Sequence, residues 1–294
     1  MRAPTVPVHL LTHLMHAFLQ RVADDHGIDI LHIKGPAVHP DLWHHDEAGP
    51  VPRRSTDADV LVRPVDAERF LAHLVAAGCE QRSRFTTGSP FEHAANIWSD
   101  HLGHADIHLF MPGIEADPEL AFASLWERRD HERIAHQGCA TPSVDDQRLV
   151  LLLHAGRSGG VNNADKRRVW DEADDVVRER VRRRAAELDA TVGLAAALGE
   201  LDQYRDHPSY RLWQQFSTPG SHTRTDEWVA RWEAARTPRQ KLSVLVRATR
   251  VNTDRMRLDL GREPTRAEVR AATRERYRLA LAEVRDRFGK DRRS

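Results

Sequence analysis

Three aspartates are spaced for metal-assisted chemistry. In Asp57-Ala58-Asp59-Val60-Leu61-Val62 two carboxylates alternate with apolar residues. On a strand, residues two apart project from one face, with Cα atoms roughly 6.5–7 Å apart. Carboxylates that close repel each other unless a cation lies between them. A hard divalent ion is the natural partner, Mg²⁺ first and Mn²⁺ as the alternative, because it prefers such oxygens and brings phosphates with it. The stretch Ala105-Asp106-Ile107-His108-Leu109-Phe110 alternates in the same way and offers a third carboxylate. Three carboxylates on neighbouring strands can hold two metal ions, one polarising a phosphoryl group and the other activating an attacking hydroxyl. Lys34-Gly35 ends an apolar run and Arg54 precedes the aspartate pair. Both cations suit phosphate charge. Taken singly, each acidic strand reads as a solvated face; taken together they point to a site.

Other groups carry weaker signals. His101, His104 and His108 suggest a transition-metal site, but no cysteine lies near them and the acidic alternative is better formed. His108 is better suited to orienting a carboxylate or contacting substrate. Lys166, Arg167 and Arg168 could clamp phosphates from a second element, although a charge run is more often a solvated helix face.

The elements that must position these residues are legible in part. Residues 9–23 carry Leu10, Leu11, Leu14, Phe18 and Val22 at helical spacing, and Gly27 stops the helix. Residues 28–33 read as a strand, 34–36 as a turn and 39–52 as a loop. Residues 57–62 are a strand and 66–77 a helix buried through Phe70, Leu71, Leu74 and Val75. Weaker strands fall near 80–85 and 94–98, before the strand at 105–110. From about Pro118 no strand is evident. Ser143-Val144-Asp145-Asp146 starts a helix, and Thr237-Pro238-Arg239-Gln240 and Thr265-Arg266-Ala267-Glu268 have capping-box form. The expectation is an α+β class chain: residues 1–115 as a short mixed sheet with flanking helices, followed by an all-helical domain over 116–294 that completes a cleft.

The order Ile33-Lys34-Gly35, Arg54-x-x-Asp57-x-Asp59-x-Leu61-Val62 and Asp106-Ile107-His108 resembles the DNA polymerase β-like nucleotidyltransferase superfamily, and within it the bacterial "uncharacterised nucleotidyltransferase" family. The likeness covers roughly residues 28–110 and extends more weakly to the helix around His154 and to Lys166-Arg167-Arg168-Val169-Trp170-Asp171. It implies that Asp57 and Asp59 are the metal-binding pair and Asp106 the third carboxylate. Lys34, Gly35, Arg54 and Lys166 are then expected to bind nucleotide and His108 to contact substrate. Lys34-Gly35 stands where the superfamily usually has Gly-Ser, so a hydroxyl that would touch phosphate is missing. The implied reaction moves a nucleoside monophosphate from a triphosphate to an acceptor hydroxyl and releases pyrophosphate.

Composition narrows the acceptor. The 294 residues hold 44 Lys+Arg against 44 Asp+Glu, a balance that counts against bulk nucleic-acid binding. Residues 264–294 are locally basic, but acids are interspersed and no aromatic platform accompanies the charge. A small-molecule or peptide hydroxyl is therefore favoured over RNA. The rivals are a toxin-like enzyme acting on RNA or tRNA, and a non-catalytic binding subunit with the same fold; the intact aspartates argue against the second. Cys79 and Cys139 are isolated, which excludes a disulfide framework. No apolar run approaches the roughly 18–20 residues of a membrane span, and no signal peptide opens the chain, so a cytoplasmic location is expected.

Overall fold

The computed structural model describes residues 6–88, 91–217 and 223–291, with the side chains of 224, 280–281 and 283–291 left aside. In chain order the first elements are α1 (Val8–His26), β1 (Ile30–His32), β2 (His44–Asp46), β3 (Gly49–Val51), β4 (Asp57–Val62), α2 (Ala67–Ala76), β5 (Glu80–Gln81), α3 (Phe85–Gly88), β6 (Ala94–Ser99) and β7 (Gly103–His108). Then come α4 (Pro118–Glu127), β8 (Asp130–Ile134), β9 (Gln137–Thr141), α5 (Val144–Arg157), α6 (Ala164–Lys166), α7 (Asp175–Glu187) and α8 (Thr191–Leu198). The chain closes with α9 (Tyr210–Ser217), α10 (Arg224–Ala234), α11 (Pro238–Thr249), α12 (Thr253–Leu260) and α13 (Arg266–Asp291).

A five-stranded mixed sheet carries the fold, in the order β1-β4-β7-β6-β5. β4 and β7 run parallel, and the other pairings are antiparallel. The α+β class expected from the sequence is the class observed. One face of the sheet buries Ile30, Val60, Val62, Ile97 and Ile107 against Met15 and Leu19 of α1 and Phe70, Leu71 and Leu74 of α2. The other face buries Leu31, Ile33 and Leu61 against Leu149 to Leu153 of α5, Phe122 of α4 and Val181 of α7. Alternation along β4 thus sends Val60 into one core and Leu61 into the other. α1 ends at Gly27, whose φ of +59° lets its N–H return to Ala23 and Asp24 carbonyls. Ser143 caps α5 by accepting from the Asp146 N–H.

Three expectations need correction. Residues 39–52 are not a plain loop: β2 and β3 form a hairpin there, with His44 opposite Val51. These strands are three residues long, one His-His-Asp and the other Gly-Pro-Val, so no alternation announces them. β8 and β9 form a second hairpin, with Ile134 opposite Gln137, beyond the point where strands seemed to end. Its first strand, Asp130-His131-Glu132-Arg133-Ile134, is largely charged and has only Ile134 buried. Finally, the compact units are Met1–Glu200 and Leu201–Ser294, so the chain does not part after residue 115. The reason is the shared core: α5, α7 and α8 bury their apolar residues with Leu31 and Leu61 of the sheet.

In the second unit the described residues form helices and no strands. The expected capping box at Thr237 is formed, with Gln240 returning to the Thr237 N–H, and Thr265 and Glu268 bond reciprocally ahead of α13. Of the basic C-terminal residues, Arg292 and Arg293 lie outside the described residues. No helix among the described residues is long and apolar enough to cross a membrane.

Behind the sheet lies a buried imidazole pair. His16 Nδ1 of α1 is 2.7 Å from His32 Nδ1 of β1, and His32 Nε2 is 3.0 Å from Gln20 Oε1. Gln20 in turn donates to Asp24. Burial pushes His16 down to about 4 from an ordinary 6.5, and burial with the neighbouring His16 lowers His32 well below its ordinary value too. Both therefore fold neutral. Between pH 6.5 and 4 the unfolded chain binds more protons, so stability is full above about pH 6.5 and is lost as pH drops. His16 alone should cost about 2 kcal/mol at pH 5. Melting curves from pH 7.5 to 5 should show the midpoint fall steadily, and a flat midpoint would contradict the neutral buried pair.

Candidate active site

Pairing across the sheet assembles the cluster. β4 lies inside the sheet, flanked by β1 and β7, and the parallel register sets Asp59 opposite Asp106 and Asp57 opposite His104. Asp57, Asp59 and Asp106 therefore share one face, as the spacing predicts. Asp59 is 2% exposed, whereas Asp57 and Asp106 are half-buried. A buried carboxylate needs partners, and Asp59 has two: Lys34 Nζ at 2.5 Å and His108 Nε2 at 2.8 Å, both on Oδ1. Burial pushes the Asp59 carboxyl up, but the Lys34 ammonium and the His108 contact outweigh it and hold the group well below the usual carboxylate range.

The other two carboxylates are also held by one oxygen. Ser55 Oγ donates to Asp57 Oδ1 at 2.7 Å. Asn96 Nδ2, opposite Asp106 on β6, donates to Asp106 Oδ1 at 2.5 Å. Asn96 is fixed in its turn, its N–H donating to Ser83 Oγ at 3.0 Å. Burial, then the Asp59 charge, push the Asp106 carboxyl up. Among the described residues each of the three Oδ2 atoms is left without a hydrogen bond. That is the arrangement in which outer donors orient carboxylates toward a cation.

The donor set fits a hard divalent ion. Asp59, Asp106 and His108 offer ligand atoms within 4.8 Å of one another. Asp57 lies outside that group, two residues along the same face, beside the Asp59–Asp106 pair. The three-histidine site does not assemble: His104 is exposed and its ring lies 4.4 Å from that of Trp98.

Several expected roles change. Lys34 is buried and engaged with Asp59 rather than open to phosphate; an ammonium brought inside at the end of β1 is stable only beside a carboxylate. His108 is 1% exposed and packs behind Asp59, so it orients the carboxylate and does not face a substrate. Lys166 Nζ is bonded to Asp171 at 2.7 Å, a local pair on one helical segment. Arg54 is exposed on the approach to β4. Gly35 follows Lys34 with φ +61°, and a Cβ there would come 3.0 Å from Ser55 Cβ. Both the positive φ and the close approach require glycine.

Sequence reasoning gave no role to four neighbours. Arg53 grips Asp165 through Nε and Nη2 at 3.1 Å each. His154 of α5 is pushed down to about 3 by burial and by the Lys34, Arg157 and Arg53 charges. His93, just before β6, packs its ring 4.9 Å from that of His108. Arg157, in the last turn of α5, lies 2.9 Å from His93 Nε2 through its Nη1. Arg53 adjoins the Arg54-x-x-Asp57 motif and His154 lies on the helix that the resemblance reaches, but the partners of all four are set by the packing of distant segments.

Residues 8–204 match a family model described as an uncharacterised nucleotidyltransferase. No curated protein matches the sequence significantly. Among solved structures, the lincomycin-bound lincosamide antibiotic adenylyltransferase LnuA is similar at 12% identity and a TM-score of 0.32, over 61% of this chain and 96% of its own. An antigenic nucleotidyltransferase-like protein from Paracoccidioides brasiliensis is similar at 14% identity and a TM-score of 0.36, over 73% of this chain and 95% of its own.

Proposed function

The chain belongs to the uncharacterised nucleotidyltransferase family, and from that membership we propose that it moves a nucleoside monophosphate from a nucleoside triphosphate to an acceptor hydroxyl on a small molecule or peptide. One observation carries the reading: Asp59 and Asp106 stand in register on adjacent parallel strands, with Asp57 on the same face. Mg²⁺ ions, or Mn²⁺ in their place, when bound would neutralise triphosphate charge and acidify the attacking hydroxyl. Asp59 and Asp106 would hold them, with Asp57 as the further ligand.

The chain's own groups divide the work. The acceptor oxygen attacks the α-phosphorus in line, the bond to the pyrophosphate oxygen breaks, and the hydroxyl proton passes to Asp106. Asn96 holds Asp106 through one oxygen, and the half-buried place of this carboxylate on the shared face leaves the other for that role. Lys34 and His108 keep Asp59 ionised and aimed. Gly35 lets the backbone turn tightly beside Ser55, the residue that holds Asp57, and exposed Arg54 meets the phosphates first.

The test is to incubate the protein with α-phosphate-labelled nucleoside triphosphates, Mg²⁺ and a cell extract, then identify the labelled species. Absence of any Mg²⁺-dependent transfer would sink the reading. Binding to total tRNA at two salt concentrations separates the acceptors: submicromolar, strongly salt-dependent binding would favour RNA. A further expected result concerns Asp106. Asp106→Asn should lower turnover by about 10²-fold or more while triphosphate affinity changes much less, because its task is on the acceptor side. Equal loss of nucleotide binding would place it on the nucleotide side.

A further inference from the structure

Most cations around the carboxylates are already neutralised. Lys34 is spent on Asp59, Arg53 and Arg168 on Asp165, and Lys166 on Asp171. A triphosphate brings several negative charges into a cleft whose own carboxylates repel it. Some cation with an uncancelled charge must face that cleft.

Arg157 meets the requirement. Its Nη1 lies 2.9 Å from His93 Nε2, and a guanidinium has only donors to offer. Nε2 is therefore the acceptor and His93 is a neutral imidazole. The bond fixes the direction of the guanidinium without cancelling its charge. His93 is itself 2% exposed and wedged against His108, so it cannot swing away. The Phe91 ring lies 5.9 Å from the guanidinium carbon. Among the described residues Arg157 makes no ion pair, and the carboxylates acting on its charge are those of Asp59 and Asp106. Its place in the last turn of α5 adds the favourable end of the helix dipole for a cation.

The geometry points to Arg157 as the residue that grips the substrate's phosphate groups, with His93 as the positioning residue that aims it. The inference rests on the nucleotidyl-transfer reading and adds to the exposed Arg54 a cation that is held in place. A planar fork of donors matches two phosphate oxygens at once, which a lysine cannot do. As the bond to pyrophosphate breaks, charge grows on the leaving oxygens, and a held guanidinium stabilises it without reorganising.

The probe is inorganic pyrophosphate with Mg²⁺, titrated calorimetrically into the full chain, alongside label transfer. Arg157→Ala should weaken pyrophosphate binding and lower kcat/KM for the triphosphate by about 10²-fold. Added guanidinium chloride should restore part of the transfer to Arg157→Ala and none to Asp59→Asn, a readout that a purely structural role would not give. Arg157→Lys, which keeps the charge and packs similarly, supplies the test if the alanine variant folds poorly; it should lose about tenfold. His93→Phe should weaken pyrophosphate binding, and His93→Gln, which keeps an acceptor, should retain most of it. Wild-type pyrophosphate binding by the Arg157 variants, in a protein that does transfer label, would overturn this inference and leave the reaction standing. A wild-type protein that neither binds pyrophosphate nor transfers label would overturn both.

Discussion

Asp57→Ala is expected to abolish transfer while the protein melts close to wild type; Asp59→Ala is expected to lose both activity and stability. Turnover in either variant should fall by about 10⁴-fold, the scale seen when one member of a group acting as a unit is removed. The stabilities diverge because the two environments differ. Asp57 is half-buried at the start of β4 and takes one hydrogen bond, from Ser55. Asp59 is buried, and deleting its carboxylate leaves the Lys34 ammonium inside the protein with no counter-charge. Removing one partner of a buried pair costs about 3–5 kcal/mol. Label transfer at saturating triphosphate, with thermal melts of the same samples, reads both effects. Near-wild-type turnover in either variant would end the metal assignment, and equal melting points would end the claim that Asp59 anchors a buried pair. The spacing of the two aspartates treats them as equivalent on one wet face. The structure does not: an interior strand hides the second and leaves the first half open.

Lys34→Met probes the same pair from the other side. Methionine fills the buried volume but leaves Asp59 with His108 alone, and stability should fall by about 3–5 kcal/mol at neutral pH. The pH response gives the signature. In the wild type the Asp59 carboxyl is held below its ordinary value of 3.8. Its contribution is therefore present above that pH and lost as pH falls through the depressed value. In the variant, burial is no longer outweighed and the folded-state value rises. The folded protein then gains a proton that the unfolded chain lacks, and its stability improves relative to wild type as pH falls. The gap between the two proteins should narrow from pH 7 to pH 5 in denaturant titrations, and losing the Lys34 charge, which also disfavours protonation of His108 and His154, acts in the same direction. Lys34→Met with Asp59→Asn should recover much of the loss, because no charge is then left unpaired. A single variant as stable as wild type would show that the contact between Lys34 and Asp59 carries no weight.

What the sequence determined by itself was local. Helical spacing marked α1 and α2, glycine marked the end of α1, and capping patterns marked α5, α11 and α13. Period-two alternation placed Asp57 and Asp59 on one face of a strand and Asp106 on another, and the ordered motifs around them indicated the family. Each signal lies within a few residues, where side-chain direction follows directly from backbone period. Tertiary structure decided the rest. It buried Lys34 against Asp59 across 25 positions of chain and His108 against the same oxygen from a neighbouring strand. It carried Arg157 to His93 from 64 residues away, and it extended the first unit to Glu200 by packing three later helices onto the sheet. A residue's charge partner depends on which elements the hydrophobic cores bring together, and no local period records that choice. Lys34 and Lys166 look alike in sequence; one became the counter-ion of a buried carboxylate and the other a local pair with Asp171, because only the first ends a strand beside β4.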